Sequence, residues 1–287
     1  MASGTNYNQH GSNRPGKLYN LACTQDGTSS NLNILTSYRH RYKLSVPVFN
    51  FSLLMFLLLQ TSCTKSGFFV KTGDIVTSAV SLTAFNEIEL HDRVNLVLTY
   101  DSVETTVKIE AGENIIPYIE TVVKDRRLVI RDNSRFRWTR DLDYKVTVYI
   151  TTSDINKLEY HGAGNITSTN TLRMPSFVID SWTGTGSVNL LLEATHTEVH
   201  IRKANADVTL KGKSMYTRIY CADHGSFNLL EFPSAEIHMD YRSIRNAHLY
   251  ATELITARIL YKGNVYLKGS ARIDPYYTSS GLLIPIP

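Results

Sequence analysis

The chain has 287 residues, a formal net charge of +4, 43% hydrophobic and 20% charged side chains. That composition belongs to ordinary globular proteins and excludes collagen-like, low-complexity and polyelectrolyte classes. The 30 Lys and Arg are scattered, whereas nucleic-acid binders gather theirs on one face, so no nucleic-acid partner is expected.

Residues 1–38 are rich in Asn, Ser, Thr and Gly without periodicity, the composition of a disordered tail or of a start assigned too far upstream. Arg39, Arg41 and Lys43 then precede an almost wholly apolar run from Val46 to Leu59. A membrane span needs about 20 apolar residues, so the shorter run reads as the core of a signal peptide over 39–63. Its ending, "LLLQTSC", resembles a bacterial lipobox. The resemblance implies a lipidated Cys63, a lipid anchor in the membrane and an outer-membrane lipoprotein of the cell envelope. With Cys23 removed and Cys63 acylated, Cys221 stands alone and no internal disulfide can form. In the alternating run "RIYCA" it reads as a small core residue.

Residues 64–79 are expected to form a linker, and 80–287 one domain. From Thr77 onward the dominant signal is period-two alternation, as in Ile88 and Leu90, then Val94, Leu96 and Leu98, then Val107 and Ile109, Leu128 and Ile130, and Val146, Val148 and Ile150. Each set places apolar side chains on one face of a strand. Pro117 in "EAGENIIPYIE" bars a central strand or intact helix there. The stretch 124–141, "KDRRLVIRDNSRFRWTRD", sets Arg135, Arg137, Trp138 and Arg140 close together. An aromatic face among guanidinium groups can grip a sugar ring or an anionic head group, which makes these four the candidate ligand-binding residues. The alternative is a solvated hairpin loop, its charge offset by Asp125, Asp132, Asp141 and Asp143.

After Asp154 the pattern becomes a repeat. Small residues at Gly164, Gly186, Ala206, Gly225, Ala247 and Gly263 recur between 16 and 22 residues apart. Two of them have a second glycine two places earlier, at Gly162 and Gly184. A polar residue follows each (Asn165, Ser187, Asp207, Ser226, His248, Asn264), and then an aliphatic or aromatic one. One such unit cannot bury its apolar face alone, but stacked copies can pair strand on strand at about 4.8 Å. The expected fold is therefore all-β, a parallel β-solenoid with coils of about 20 residues. A corner that demands close backbone approach must be small in every coil. The Gly-x-Gly of "YHGAGNITS" belongs to that scaffold. It lacks the third glycine and the following helix of a dinucleotide loop.

Few residues offer chemistry. His161, His196, His200, His224, His238 and His248 show no tight His-x-His or Cys-x-x-Cys spacing, so no metal site is expected. Tyr216, Tyr220, Tyr241, Tyr250, Tyr261 and Tyr266 are expected on outward positions of stacked strands. Asp180, Asp207, Asp223 and Asp240 form no evident acid–base pair of the kind a polysaccharide-cleaving solenoid enzyme needs, and no catalytic residue is assigned.

The segments "FNEIELHDRVNLVL", "NIIPYIETVV", "LEYHGAGNI", "WTGTGSVNL" and "LYKGNVYLKG" resemble those of the auto-transporter adhesin, head GIN domain family of Gram-negative envelopes. The resemblance implies a single-stranded, right-handed parallel β-solenoid without catalytic residues or cofactors. It also implies a binding role toward a glycan or an envelope protein. The alternative is a structural or sensing scaffold.

Overall fold

The computed structural model describes residues 72–134 and 144–287. The expected signal peptide, Cys63, the first half of the expected linker (64–71), and Arg135, Arg137, Trp138 and Arg140 lie outside the described residues. In chain order the first seven strands are β1 (Ile75–Val80), β2 (Glu87–Leu90), β3 (Val94–Thr99), β4 (Thr106–Gly112), β5 (Ile119–Lys124), β6 (Arg127–Asp132) and β7 (Val146–Thr151). The repeat region supplies β8 (Lys157–Tyr160), β9 (Ile166–Ser168), β10 (Leu172–Ser181), β11 (Ser187–Ile201), β12 (Asp207–Cys221) and β13 (Ser226–Glu231). It ends with β14 (Ser234–Tyr241), β15 (Ala247–Ile259), β16 (Val265–Lys268), β17 (Arg272–Thr278) and β18 (Leu283–Ile286). Among the described residues the only helical element is a 3-10 turn at Ile116–Tyr118, where Pro117 breaks the alternation. β1 starts at Ile75, inside the stretch expected as a linker, because it finds a partner: all six of its residues pair antiparallel with β4.

The strands form a parallel β-solenoid, with two columns running through the stack. One holds β6, β2, β8, β10, β11, β12, β14, β15 and β17 in that spatial order. The other holds β7, β3, β9, β11, β12, β13, β15, β16 and β18. The long strands β11, β12 and β15 serve both columns. The order at the start departs from the sequence, for β2 and β3 lie between the later pair β6–β7 and the pair β8–β9. Antiparallel strands close that end, β5 on β6 and β4 on β7. The β5–β6 turn places Asp125 and Arg126 at φ 51° and 61°, the positive dihedrals that a two-residue hairpin turn requires. At the far end the edge strands carry Pro275 and Pro285. Proline offers no N–H to a further strand, so the open edges are poor templates for aggregation.

Inward positions stack like on like. Leu128, Ile88, Leu158, Ile179, Val199, Ile219, Met239 and Ala257 form one buried row. Val148, Leu96, Ile166, Val188, Val208, Phe227, Ala247 and Val265 form another. Each fully buried aliphatic contributes about 1.5 to 3 kcal/mol relative to exposure, and these rows are the core.

The corner agrees with expectation through four coils and then differs. Asp207 N donates to Gly186 O at 3.3 Å and Ser226 N to Ala206 O at 3.2 Å, so Gly164, Gly186, Ala206 and Gly225 occupy the same corner of successive coils. A β-carbon on Gly186 would meet Gly164 O at 2.3 Å, and one on Gly162 would meet Asp92 O at 2.3 Å. Gly184 is tight for a different reason, since its β-carbon would strike the Tyr160 ring at 2.3 Å. Ala247, however, pairs with Phe227 and Val265. It belongs to the inward row, and the corner residue of its coil is Arg245. A β-carbon on Gly263 would lie 2.0 Å from Arg245 O, and one on Gly281 2.2 Å from Gly263 O. The correction shifts two positions: Asn246 replaces His248 as the polar residue after the corner, and Gly281 supplies a further corner that sequence alignment left out. Asn side chains tie the levels together. Asn165 N donates to Asn95 Oδ1 at 2.8 Å, Asn264 N to Asn246 Oδ1 at 3.0 Å, and Leu282 N to Asn264 Oδ1 at 3.0 Å.

Tyr241, expected outward, is buried, as is Tyr160. Each fills the space behind a corner. The Tyr160 hydroxyl donates to Gly164 O at 2.6 Å and accepts from Gly186 N at 3.0 Å, and the Tyr241 hydroxyl donates to Arg245 O at 2.6 Å. Burial pushes the Tyr160 phenol up to about 12 and that of Tyr241 also upward. A folded-state value above the unfolded one, about 10, gives stability that is fully present below pH 10 and lost as pH rises through the folded value. In an alkaline absorbance titration, two of the 17 tyrosines are therefore expected to stay protonated until the β-sheet circular dichroism collapses. Ionisation of every tyrosine by pH 11 with the fold intact would contradict the buried placement.

Candidate binding surface

Side chains at the outward positions beside the corner form two adjacent columns. In the strand column, Glu89 pairs with Glu159, Glu159 with Asp180, Asp180 with His200, His200 with Tyr220, and Tyr220 with Asp240. The residues two places on, which enter the corner, are His91, His161, Trp182, Arg202, Ala222 and Arg242. Period-two alternation dictates this. Leu90, Tyr160, Ser181 and Tyr241 lie between them and point inward, all buried.

Trp182 is 41% exposed, and the Arg202 guanidinium lies over its ring at 4.6 Å. Arg202 is itself held by Asp180, Nε to Oδ1 at 2.7 Å and Nη2 to Oδ2 at 3.2 Å. That bidentate bond raises the guanidinium pKa above its ordinary value, and it leaves a flat, oriented aromatic and cationic surface. Arg242 repeats the device on Asp240, at 3.1 and 3.2 Å. Burial lowers the His200 pKa between them, which favours the neutral imidazole.

At the other end of the columns two Glu-x-His units lie in register. His91 Nε2 is 2.6 Å from Glu89 Oε1, and His161 Nε2 is 2.9 Å from Glu159 Oε1. The two imidazole rings stack with centroids 4.7 Å apart and planes 6° from parallel. Burial pushes the Glu89 carboxyl up, but the bonds from His91 and Arg131 outweigh it, so it sits below the ordinary range. Glu159 is lowered in the same way by His161 and Lys157 against the same effect of burial.

The other expected candidates stay apart. His196 and His238 each lean on Tyr216, His248 stacks on Tyr266 at 4.9 Å, and His224 contacts its neighbour Asp223. Asp180 and Asp240 bind arginines, and Asp207 meets Arg245. Cys221 is buried, and burial raises its thiol to about 11, which leaves it inert at neutral pH. Trp182 and His91 escaped the sequence-based list. The signal for His91 was present as "IELHDRVNL" at 88–96 matching "LEYHGAGNI" at 158–166.

The family described as "Putative auto-transporter adhesin, head GIN domain" matches residues 84–271. The chain belongs to that family. A crystal structure of a putative adhesin from Bacteroides fragilis shares the fold of this head GIN domain at a TM-score of 0.68 and 20% identity, covering 76% of this chain and all of that one. A putative adhesin from Parabacteroides distasonis gives 0.60 at 19% identity, over 76% of this chain and 100% of that chain. A putative lipid binding protein from the same organism gives 0.54 at 13%, over 76% and 96%. No curated protein matches the chain. Among the described residues no helix is long and apolar enough to cross a membrane.

Proposed function

We propose that this head GIN domain is a non-catalytic binding module of the bacterial envelope, tethered to the outer membrane through a lipid on Cys63, and that its ligand is a surface glycan. The observation that carries the reading is Trp182, an exposed indole held in place by an arginine that is itself fixed by a carboxylate. An aromatic platform oriented before binding loses little entropy when a sugar ring stacks on it, and the flanking carboxylate and guanidinium can hydrogen-bond its hydroxyls. Arg135, Arg137, Trp138 and Arg140 are further ligand-binding candidates in this proposal, on the chemistry of an aromatic ring among guanidinium groups alone. The family and the similar structures bear names of binding proteins, which supports a non-enzymatic role. Glycan-array screening of the full chain followed by Trp182→Ala tests it. Binding should weaken about tenfold or more, as for aromatic anchors that become buried in an interface, with an unchanged melting temperature. Undiminished binding to every glycan would reject this surface. Absence of any ligand would favour the structural or sensing scaffold.

A further inference from the structure

The stacked Glu-x-His units set two imidazoles and two carboxylates side by side. We propose that Glu89, His91, Glu159 and His161 make a binding site for one divalent transition-metal cation of the zinc class. Parallel register alone brings them together, since Glu89 pairs with Glu159 and the next outward residues are His91 and His161. Donor atoms of Glu89, His91 and His161 all lie within 4.8 Å of one another. Tetrahedral zinc with bonds of about 2.1 Å sets its ligands about 3.4 Å apart, so the donors farthest apart must close by an ångström or so while the hydrogen-bonded Glu–His pairs, at 2.6 and 2.9 Å, open slightly. The imidazoles can do this by small side-chain rotations, being 22% and 23% exposed and packed face to face rather than into the core.

The donor set chooses the class of ion. Calcium and magnesium favour oxygen donors, whereas two imidazoles with carboxylates suit zinc, cobalt or nickel. The carboxylates also have outer partners of the kind that orient metal ligands. Arg127 Nη1 lies 3.4 Å from Glu89 Oε2, and Lys157 Nζ 3.0 Å from Glu159 Oε2. Arg131 Nη2 lies 3.1 Å from Glu89 Oε1 and 3.3 Å from His91 Nε2, so it occupies the cation's approach and must swing out. Its side chain is 43% exposed, which makes that movement easy, yet the local positive charge of Arg127, Arg131 and Lys157 sets the expected affinity in the micromolar range.

The test uses the full chain stripped with chelator and titrated with zinc chloride, then separately with cobalt chloride. One saturable equivalent is expected, insensitive to millimolar calcium or magnesium, with the intense visible absorption of low-coordinate cobalt. The double variant His91→Gln/His161→Gln should lose at least 30-fold in affinity. Arg131→Ala should bind more tightly, because it removes the competing cation. Should the double variant fail to fold, histidine modification of the natural chain gives the answer: zinc should protect His91 and His161 and leave His196, His224, His238 and His248 reactive. No saturable binding, full binding by a folded double variant, or protection of other histidines instead would overturn the site.

Discussion

Val208→Asp is expected to leave the protein unfolded at 25 °C. Val208 is 1% exposed and sits between Val188 and Phe227 in the second inward row. The change removes about 1.5 to 3 kcal/mol of aliphatic burial. It also places a carboxylate where no described side chain can pair with it, which costs several kcal/mol more or forces the coil open. Because solenoid stability sums over contacts between neighbouring coils, both adjoining interfaces weaken together. The total rivals the about 5 to 15 kcal/mol that holds a typical domain folded. Circular dichroism melting of the variant decides the matter. A melting temperature within two or three degrees of the natural chain would show that position 208 does not face inward.

Gly164→Val is expected to be nearly as damaging, through the backbone. Its β-carbon would fall 1.8 Å from Val94 O and 2.3 Å from Val94 C. Both are main-chain atoms, so no rotamer change relieves the clash, and β3 and the β8–β9 corner must part. Separation would break the bonds that join these levels, Leu96 N to Asn165 O at 2.9 Å and Asn165 N to Asn95 Oδ1 at 2.8 Å, each worth about 1 kcal/mol. Ala206, one coil beyond Gly186, already accommodates a β-carbon, so Ala206→Gly should cost no more than about 1 kcal/mol. Urea unfolding of the two variants side by side measures the contrast, and equal losses would mean that the corners are not sterically distinct.

The solenoid was legible because a parallel stack repeats its demands at a fixed interval. Where the demand concerns side-chain size, as in the row of Val188, Val208 and Val265, the sequence displays it directly. At Arg245 the demand is on the backbone, and the long side chain runs out to Asp207. An alignment by smallness therefore slid two residues to Ala247. Tyr241 misled for a related reason: tyrosine suits an outward face, but here a buried hydroxyl meets a corner carbonyl. The candidate surface was harder to read. His91 and His161 are neighbours although 70 residues separate their coils, because β4 to β7 intervene in the chain but not in space. Trp182 stood out in the sequence only as part of a glycine motif; its meaning depends on Arg202, supplied by the next level.

The insertion of β2–β3 between β6–β7 and β8–β9 has a consequence for how the chain is made. The earliest coil to leave the ribosome has its first flanking partner only when the segment through Thr151 has followed it out, and its second only with Ser168. Growth of the stack cannot start at the amino terminus and proceed in order. Assembly must wait for the middle of the chain, so the amino-terminal strands stay without their parallel neighbours until β6–β7 and β8–β9 have been made.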